Sequence, residues 1–473
     1  MTTSYDIIAY PTRAFPQTHP DRLACHAALF GLPYAPIGEA RVLDIGCGDG
    51  GNIIPMAVAY PNASFVGFDL AEVAVERGRR MIAALGLTNI RLDALDVTTA
   101  DLGAEAFDYV IAHGVYSWIP DVPREALMAS IRHHMAPRGV AFVSFNALPG
   151  GRLRQMIRDM LLFHLRGIEE PHARVEEACR RLAEFVEMYA ADTPFDQAVR
   201  SECQSLLARP AGVIAHDELG EFYAPVYFHQ FAEHAARHDL QFLTEAAPNR
   251  CGEGFRPPYA LDDESFDILA HVQDLDFKAL RMYRQALLVR AEIPLNRRPE
   301  PARLRGLLAA APVIKTEVEN AYDCGPIRFE LSDGPLQRAM ERLGEAWPMA
   351  VPIADLVDDD ERLGVMLRMY WVGALGLHTA ASPFSTTIAE RPTASVLARV
   401  LAASGEGPIA TLSHGSVDIN DDAGRRFIAA LDGRRTVDEI ARDMAAELRE
   451  PLDQVQGKLM HKLNELARMP LLV

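Results

Sequence analysis

Val42-Leu43-Asp44-Ile45-Gly46-Cys47-Gly48-Asp49-Gly50-Gly51-Asn52 carries a short apolar run into a glycine-rich turn, and Ile53-Ile54-Pro55-Met56 then opens a helix. At such a strand-to-helix junction the missing side chains let backbone approach a ligand closely. Outward from it, the alternation of strand and helix continues to Ala147. Strands are predicted over Arg41–Cys47, Ser64–Leu70, Ile90–Val97, Phe107–Val115 and Gly139–Asn146, with helices over Asn52–Tyr60, Ala71–Leu85 and Val122–Met135. The strand segments are almost wholly apolar, as expected where both faces of a parallel sheet are covered. The fold class is therefore α/β.

After Pro149-Gly150-Gly151 the pattern changes to long amphipathic helices, Leu153–Leu165 and Ala173–Ala191. A helix over Val226–Arg237 leads to a strand over Gln241–Glu245, and Tyr283–Arg290 is a further apolar strand. These would be the sixth and seventh strands of one Rossmann-like, doubly wound, seven-stranded sheet interrupted by a helical insertion. Pro294–Pro301 (PLNRRPEP) has the composition of a linker. Beyond it the chain reads as mainly helical, and Val417-Asp418-Ile419, Gly424–Leu431 and the capping-box spacing at Thr436-Val437-Asp438-Glu439 suggest a winged-helix-like unit. The expected divisions are a cofactor domain at 1–150, a helical cap at 151–214, a segment at 215–295 that completes the sheet, and a C-terminal domain at 296–473 with its winged-helix-like part at 390–473.

Gly46, Gly48 and Gly51 satisfy GxGxxG, the dinucleotide fingerprint, so the surrounding charges must decide the ligand. A pyrophosphate at this helix start would be repelled by Asp44 and Asp49. S-adenosylmethionine (AdoMet) carries no phosphate, and its ammonium and sulfonium groups are served by a nearby carboxylate such as Asp44. Asp69 ends the second strand, where it can accept from both ribose hydroxyls, with Leu70 beside it. Asp96, between Leu95 and Val97, can accept from an adenine amino group while its neighbours supply apolar walls. Cys47 and Asn52 complete the loop. Tyr10, Gln17, Thr18 and His19 precede the first strand and are expected to fold back over the cofactor.

The chain has 473 residues, 49% hydrophobic and 24% charged, enough for two or three domains. Its formal net charge of -18 argues against nucleic acid and would steer cationic partners. Six scattered cysteines without a CxxC pair suit a reducing cytoplasm. No basic leader and no apolar run of about 20 residues is found, so neither secretion nor membrane insertion is expected. Arg132-His133-His134 and the loosely spaced His229, His234 and His238 have no accompanying ligand set, and no metal is expected.

Together these motifs resemble the class I AdoMet-dependent methyltransferases. A narrower resemblance rests on Tyr10-Pro11, on Phe15-Pro16-Gln17-Thr18-His19-Pro20-Asp21-Arg22-Leu23 and on Ala112-His113-Gly114-Val115-Tyr116-Ser117-Trp118. These look like the bacterial protein-lysine methyltransferases related to rickettsial outer-membrane-protein enzymes. Their methyltransferase regulatory region is resembled by His216-Asp217-Glu218-Leu219 and by Tyr227-Phe228-His229-Gln230-Phe231 through Glu245, and their C-terminal part, more loosely, around Arg391-Pro392 and His414. The resemblance implies lysine acceptors and a homodimer.

Methyl transfer from a sulfonium is an in-line displacement, so the protein must align the partners and exclude water. The exit of the fourth strand is where the methyl group should point, with Gly114 allowing close approach and His113, Tyr116 and Trp118 as the catalytic candidates. An acceptor lysine, with an ordinary pKa of about 10.4, must first lose a proton, which burial and the sulfonium charge would ease. A small-molecule acceptor, or a regulatory protein that binds AdoMet without turnover, are the other readings.

Overall fold

The structure, a computed structural model, describes residues 7–473 apart from 9, 12, 190–192, 248–266 and 406. Cys251 and the expected helix end at Ala191 lie outside the described residues. At its centre stand β1 (Arg41–Ile45), β2 (Ser64–Asp69), β3 (Ile90–Ala94), β4 (Phe107–Ala112), β5 (Met135–Asn146), β6 (Leu240–Glu245) and β7 (Tyr283–Arg290). Their order is β3-β2-β1-β4-β5-β7-β6. Strands β1 to β5 pair in parallel, while β7 runs antiparallel to both β5 and β6. The seven expected strands therefore form one sheet. β5 begins at Met135, earlier than its apolar run suggests, because the chain enters it through a register shift opposite Phe107 and Tyr109.

Two cores explain the unbroken apolar strands. Val42, Phe65, Tyr109 and Phe142 pack on one face against α1 (Pro20–Leu29) and α2 (Ile53–Ala59), with α3 (Glu72–Leu85) beside them. Leu43, Val66, Val110 and Val143 face the other side, against α4 (Asp121–His134) and, further along the chain, α8 (Phe228–Arg237). Successive strand residues thus enter opposite cores, as the two-residue period requires.

From the end of β5 rise α5 (Gly151–His164), α6 (Pro171–Met188) and α7 (Pro194–Leu207), which share a core of their own around Ile157, Leu182 and Val199. α9 (Ile268–Ala279) precedes β7. Its cluster with β6 and β7 is ionic: Arg284 gives Nη1 to Glu245 Oε2 at 2.8 Å and Nε to Asp276 Oδ2 at 2.8 Å, all three groups buried.

The C-terminal region is mainly helical, as expected, and between the linker and residue 390 it also carries short strands that the sequence pattern did not indicate. Two three-stranded sheets stand there with α10 (Gly334–Ala346) and α11 (Asp360–Val372). Their strands have two to four residues each, too short to display a two-residue period. The winged-helix unit follows. It comprises α12 (Val396–Ser404), a ribbon pairing Ile409–Ala410 with Ser416–Val417, α13 (Asp422–Ala430), α14 (Val437–Leu448) and α15 (Leu452–Arg468). Thr436 and Glu439 form the capping box at the start of α14. α1 ties this half to the sheet, because Asp21 accepts from Thr379 N at 2.7 Å and meets His378 Nδ1 at 2.9 Å. Among the described residues, no helix is long and apolar enough to cross a membrane.

Candidate active site

The strand order reverses between β1 and β4, and ligands of such sheets bind outside the carboxyl ends at that point. Leaving β1, the amides of Gly46 and Cys47 both donate to Phe68 O, at 2.8 and 3.1 Å, which folds the turn onto β2. Gly46 adopts φ +76°, and a Cβ there would stand 2.4 Å from Val115 Cγ2 on the chain leaving β4. Only glycine fits, so loop and β4 exit close on one crevice. Asp69, at the end of β2, accepts from Gly48 N and from Ala71 N, each at 2.8 Å.

Asp44 is 2% exposed and accepts from Asn52 Nδ2 at 3.4 Å. Burial, opposed by Asn52 and assisted by the charge of Asp69, pushes its carboxyl up to about 7. Asp69 is raised as well, by burial against the pull of the two amides. Two carboxyls held short of comfortable ionisation beside a glycine loop suit a cation and disfavour a phosphate. The residues present therefore fit AdoMet.

Asn52 is a junction. Its Oδ1 accepts from Phe15 N at 3.1 Å and His414 Nε2 at 3.0 Å, with the Thr18 hydroxyl also at 3.1 Å. The N-terminal arm thus folds back on the loop. Gln17 sits in the same single turn, and His19 caps α1 by accepting from Asp21 N. His414 comes from the ribbon of the winged-helix unit, buried and in the left-handed region at φ +60°. Burial and the neighbouring His19 hold it neutral.

At the β4 exit, His113 Nδ1 lies 3.0 Å from Ser144 Oγ and 3.3 Å from Tyr283 Oη, while its Nε2 is buried without a hydrogen bond. The edge of Phe15 packs on it with centroids 4.1 Å apart. Burial, then the charge of Arg13, lowers His113 to about 4. Gly114 has φ +72° and open space where a Cβ would point. Tyr10 lies 6.0 Å from the His216 ring, its phenol pushed up to about 12 by burial and then by Asp217.

Two of the catalytic candidates are engaged by neighbouring side chains. Tyr116 is 2% exposed, packs edge-on to Phe231, and shares its hydroxyl with His234 Nδ1 at 2.8 Å, so it belongs to the core beneath the exit. Trp118 packs against Tyr223 and beneath the guanidinium of Arg154, itself ion-paired with Glu218. That covers an indole face the acceptor was expected to meet. Past the ends of β2 and β3, Asp96 is exposed and accepts from Thr98, Leu70 is 61% exposed, and Leu95 and Val97 are half-buried against the core. His414, Tyr283 and Asp217 gather at the site without having been singled out as site residues. Asp217 and His414 had the family resemblance as their sequence signal, and Tyr283 only its place at the start of an apolar strand.

Comparison with known proteins follows the same division. Residues 42–139 match the methyltransferase domain model, 210–290 the predicted methyltransferase regulatory domain, and 390–469 the PKMT C-terminal winged helix domain. Uncharacterized protein RP789 of Rickettsia prowazekii is 34% identical over 297 residues, which is 62% of this chain but only 54% of that protein. Uncharacterized protein RP028 of the same organism is 33% identical over 242 residues, 51% of this chain and 96% of that one. The solved structure of PKMT2 from Rickettsia typhi superposes with a TM-score of 0.86 at 24% identity, covering 98% of this chain and 100% of the other, a likeness of fold. A second structure of that protein, in complex with AdoHcy, gives 0.85.

Sheet order, glycine loop and domain match define the chain as a class I AdoMet-dependent methyltransferase. More narrowly, it belongs to the family of the rickettsial protein RP028, in which that catalytic fold is followed here by a regulatory region and a PKMT-type winged helix.

Proposed function

We propose that the chain transfers the methyl group of AdoMet to the side-chain nitrogen of lysine in a protein or peptide. AdoMet supplies an electrophilic methyl on a sulfonium. In this reading Asp44 faces the ammonium of its methionine end, Asp69 its ribose hydroxyls, and Asp96 with Leu70, Leu95 and Val97 its adenine. The observation that carries the lysine assignment is the make-up of the crevice beyond β4. Phe15, Tyr10, Tyr283 and Asp217 offer aromatic faces and a carboxylate to an arriving ammonium. Of the arginines beside them, Arg154 is engaged by Glu218 and Asp217, and Arg13 lies over the ring of Phe15. The PKMT-type winged helix and the overall likeness to PKMT2 point the same way.

With a pKa near 4, His113 is too weak a base to deprotonate an ammonium of about 10.4. Its unpartnered Nε2 serves instead to accept an N–H of the incoming amine and aim the lone pair, after solvent has taken the proton. His113→Ala should therefore lower kcat/KM by about ten- to a hundredfold with AdoMet affinity unchanged, a loss on the scale of one lost buried hydrogen bond plus misalignment. The rise of kcat/KM above pH 7 should persist in the variant, because the titrating group is the substrate. The general test supplies isotope-labelled AdoMet with lysine-rich polypeptides and, separately, a metabolite extract. Label on lysine ε-nitrogens is expected. Label confined to small molecules, or none on any acceptor, would reject the assignment.

His414→Ala removes one of the donors that hold Asn52 Oδ1, and Asn52 in turn positions Asp44. A loss of about 0.5–1.5 kcal/mol is expected, read as a roughly three- to tenfold higher Kd for AdoMet by calorimetry. An unchanged Kd in the folded variant would make this contact a packing feature only.

A further inference from the structure

α4 and α8 meet at the surface flanking the β4 exit, and three groups converge there that the proposed reaction does not use. His234 lies in the last turn of α8 and His238, four residues on, caps its C-terminus, with the two ring centroids 5.2 Å apart. Glu125 of α4 lies opposite. Its Oε2 is 2.9 Å from His238 Nε2 and 3.2 Å from His234 Nε2. One ligand atom from each of the three lies within 4.8 Å of the other two.

Three features go beyond an ordinary surface ion pair. First, His234 is 94% enclosed, its side chain 6% exposed, yet its Nε2 makes no hydrogen bond despite the nearby carboxylate. A buried ring nitrogen is normally satisfied, and a cation shared with that carboxylate would satisfy this one. Second, its other nitrogen, Nδ1, is taken at 2.8 Å by the Tyr116 hydroxyl. Metal-bound imidazoles are held in this way, the second nitrogen fixed by a hydrogen bond. Third, the remaining oxygen of Glu125 lies 3.3 Å from Arg237 Nη2, which leaves a single oxygen facing the two rings. Ligands about 2.0–2.2 Å from a tetrahedral ion stand roughly 3.4 Å apart, close to the 2.9 and 3.2 Å that separate Glu125 Oε2 from the two ring nitrogens.

The geometry points to a His–His–Glu site for a divalent transition ion of the zinc class, held by His234 Nε2, His238 Nε2 and Glu125 Oε2 with a fourth position open to solvent. Two imidazoles and a carboxylate are the donor set that zinc accepts, and calcium or magnesium would want more oxygens. Glu125 is half exposed, so ions can enter. The ion would clamp α4 to α8 and, through His234 and Tyr116, stiffen the segment between β4 and α4 without touching the transferred methyl group.

The test uses the full chain, free of any histidine tag, stripped with a chelator and titrated with zinc chloride by calorimetry. Cobalt chloride is titrated in parallel and followed by its visible absorption. The expected result is one equivalent bound, the intense visible bands of four-coordinate cobalt, and a higher melting temperature with zinc. Glu125→Gln and His238→Ala, both at the partly exposed edge, should keep the fold and each weaken that binding by about a hundredfold. Zinc uptake by the unaltered chain no tighter than by these variants, or cobalt that stays in its pale six-coordinate form, would overturn the site.

Discussion

Asp44→Asn protein is expected to bind AdoMet about ten- to a hundredfold more weakly than the unaltered chain at pH 8, the equivalent of roughly 1.4–2.8 kcal/mol for one charge-assisted contact. The variant should also lose a pH dependence that the unaltered chain displays. Burial places the Asp44 carboxyl at about 7, so near pH 6 it is mostly protonated in the free protein. A cation bound beside it favours the ionised form, and binding below pH 7 must then expel a proton. Affinity should accordingly tighten between pH 6 and 8 by up to about tenfold per unit on the acid side, with proton release visible as a buffer-dependent heat. The sign for stability is opposite. The folded pKa lies above the unfolded one, so the free protein is favoured at low pH and loses that contribution as pH rises through about 7. Saturating AdoMet should offset the loss. A flat affinity profile in the unaltered chain would place the methionine end elsewhere.

The sheet was legible because each central strand is buried on both faces and leaves an unbroken apolar run; Tyr283–Arg290 could be read even where it turns antiparallel. The small sheets after the linker were not, since a strand such as Val351–Pro352 has no period to detect. At the site, the carboxylates could be read because each closes a strand. Contacts between side chains were a different matter. His414 meets Asn52 across 362 residues and His238 meets Glu125 across 113, and no local spacing encodes such meetings. Tyr116 misled for a related reason. It lies past the last residue of β4, where the two-residue alternation stops and the sequence no longer says which way a ring will turn.

Arg284→Met should cost about 3–5 kcal/mol of folding free energy, because it removes the buried guanidinium shared by two buried carboxylates, leaving Asp276 to Arg281 and Glu245 to the Gln285 amide alone. Arg284 is 1% exposed and holds Asp276 by Nε and Nη2, at 2.8 and 2.7 Å, and Glu245 by Nη1 at 2.8 Å, above the ring of Phe228. Replacing Glu245 and Asp276 by their amides in the same chain should recover a large part of the loss, since it is the uncompensated charge and not the missing attraction that dominates. The cluster also bears on the reaction. Neighbouring residues on a strand point to opposite faces, so anchoring Arg284 among Glu245 and Asp276 turns Tyr283 the other way, where its hydroxyl reaches His113. Below its melting temperature, the Arg284→Met chain should then keep most of its AdoMet affinity per folded molecule but transfer methyl groups more slowly, because β7 is free to shift against β5. Denaturant unfolding followed by circular dichroism gives the first quantity, and turnover normalised to bound AdoMet the second. A stability loss under about 1 kcal/mol would mean that water reaches these carboxylates and that the register of β7 is set by its apolar residues alone.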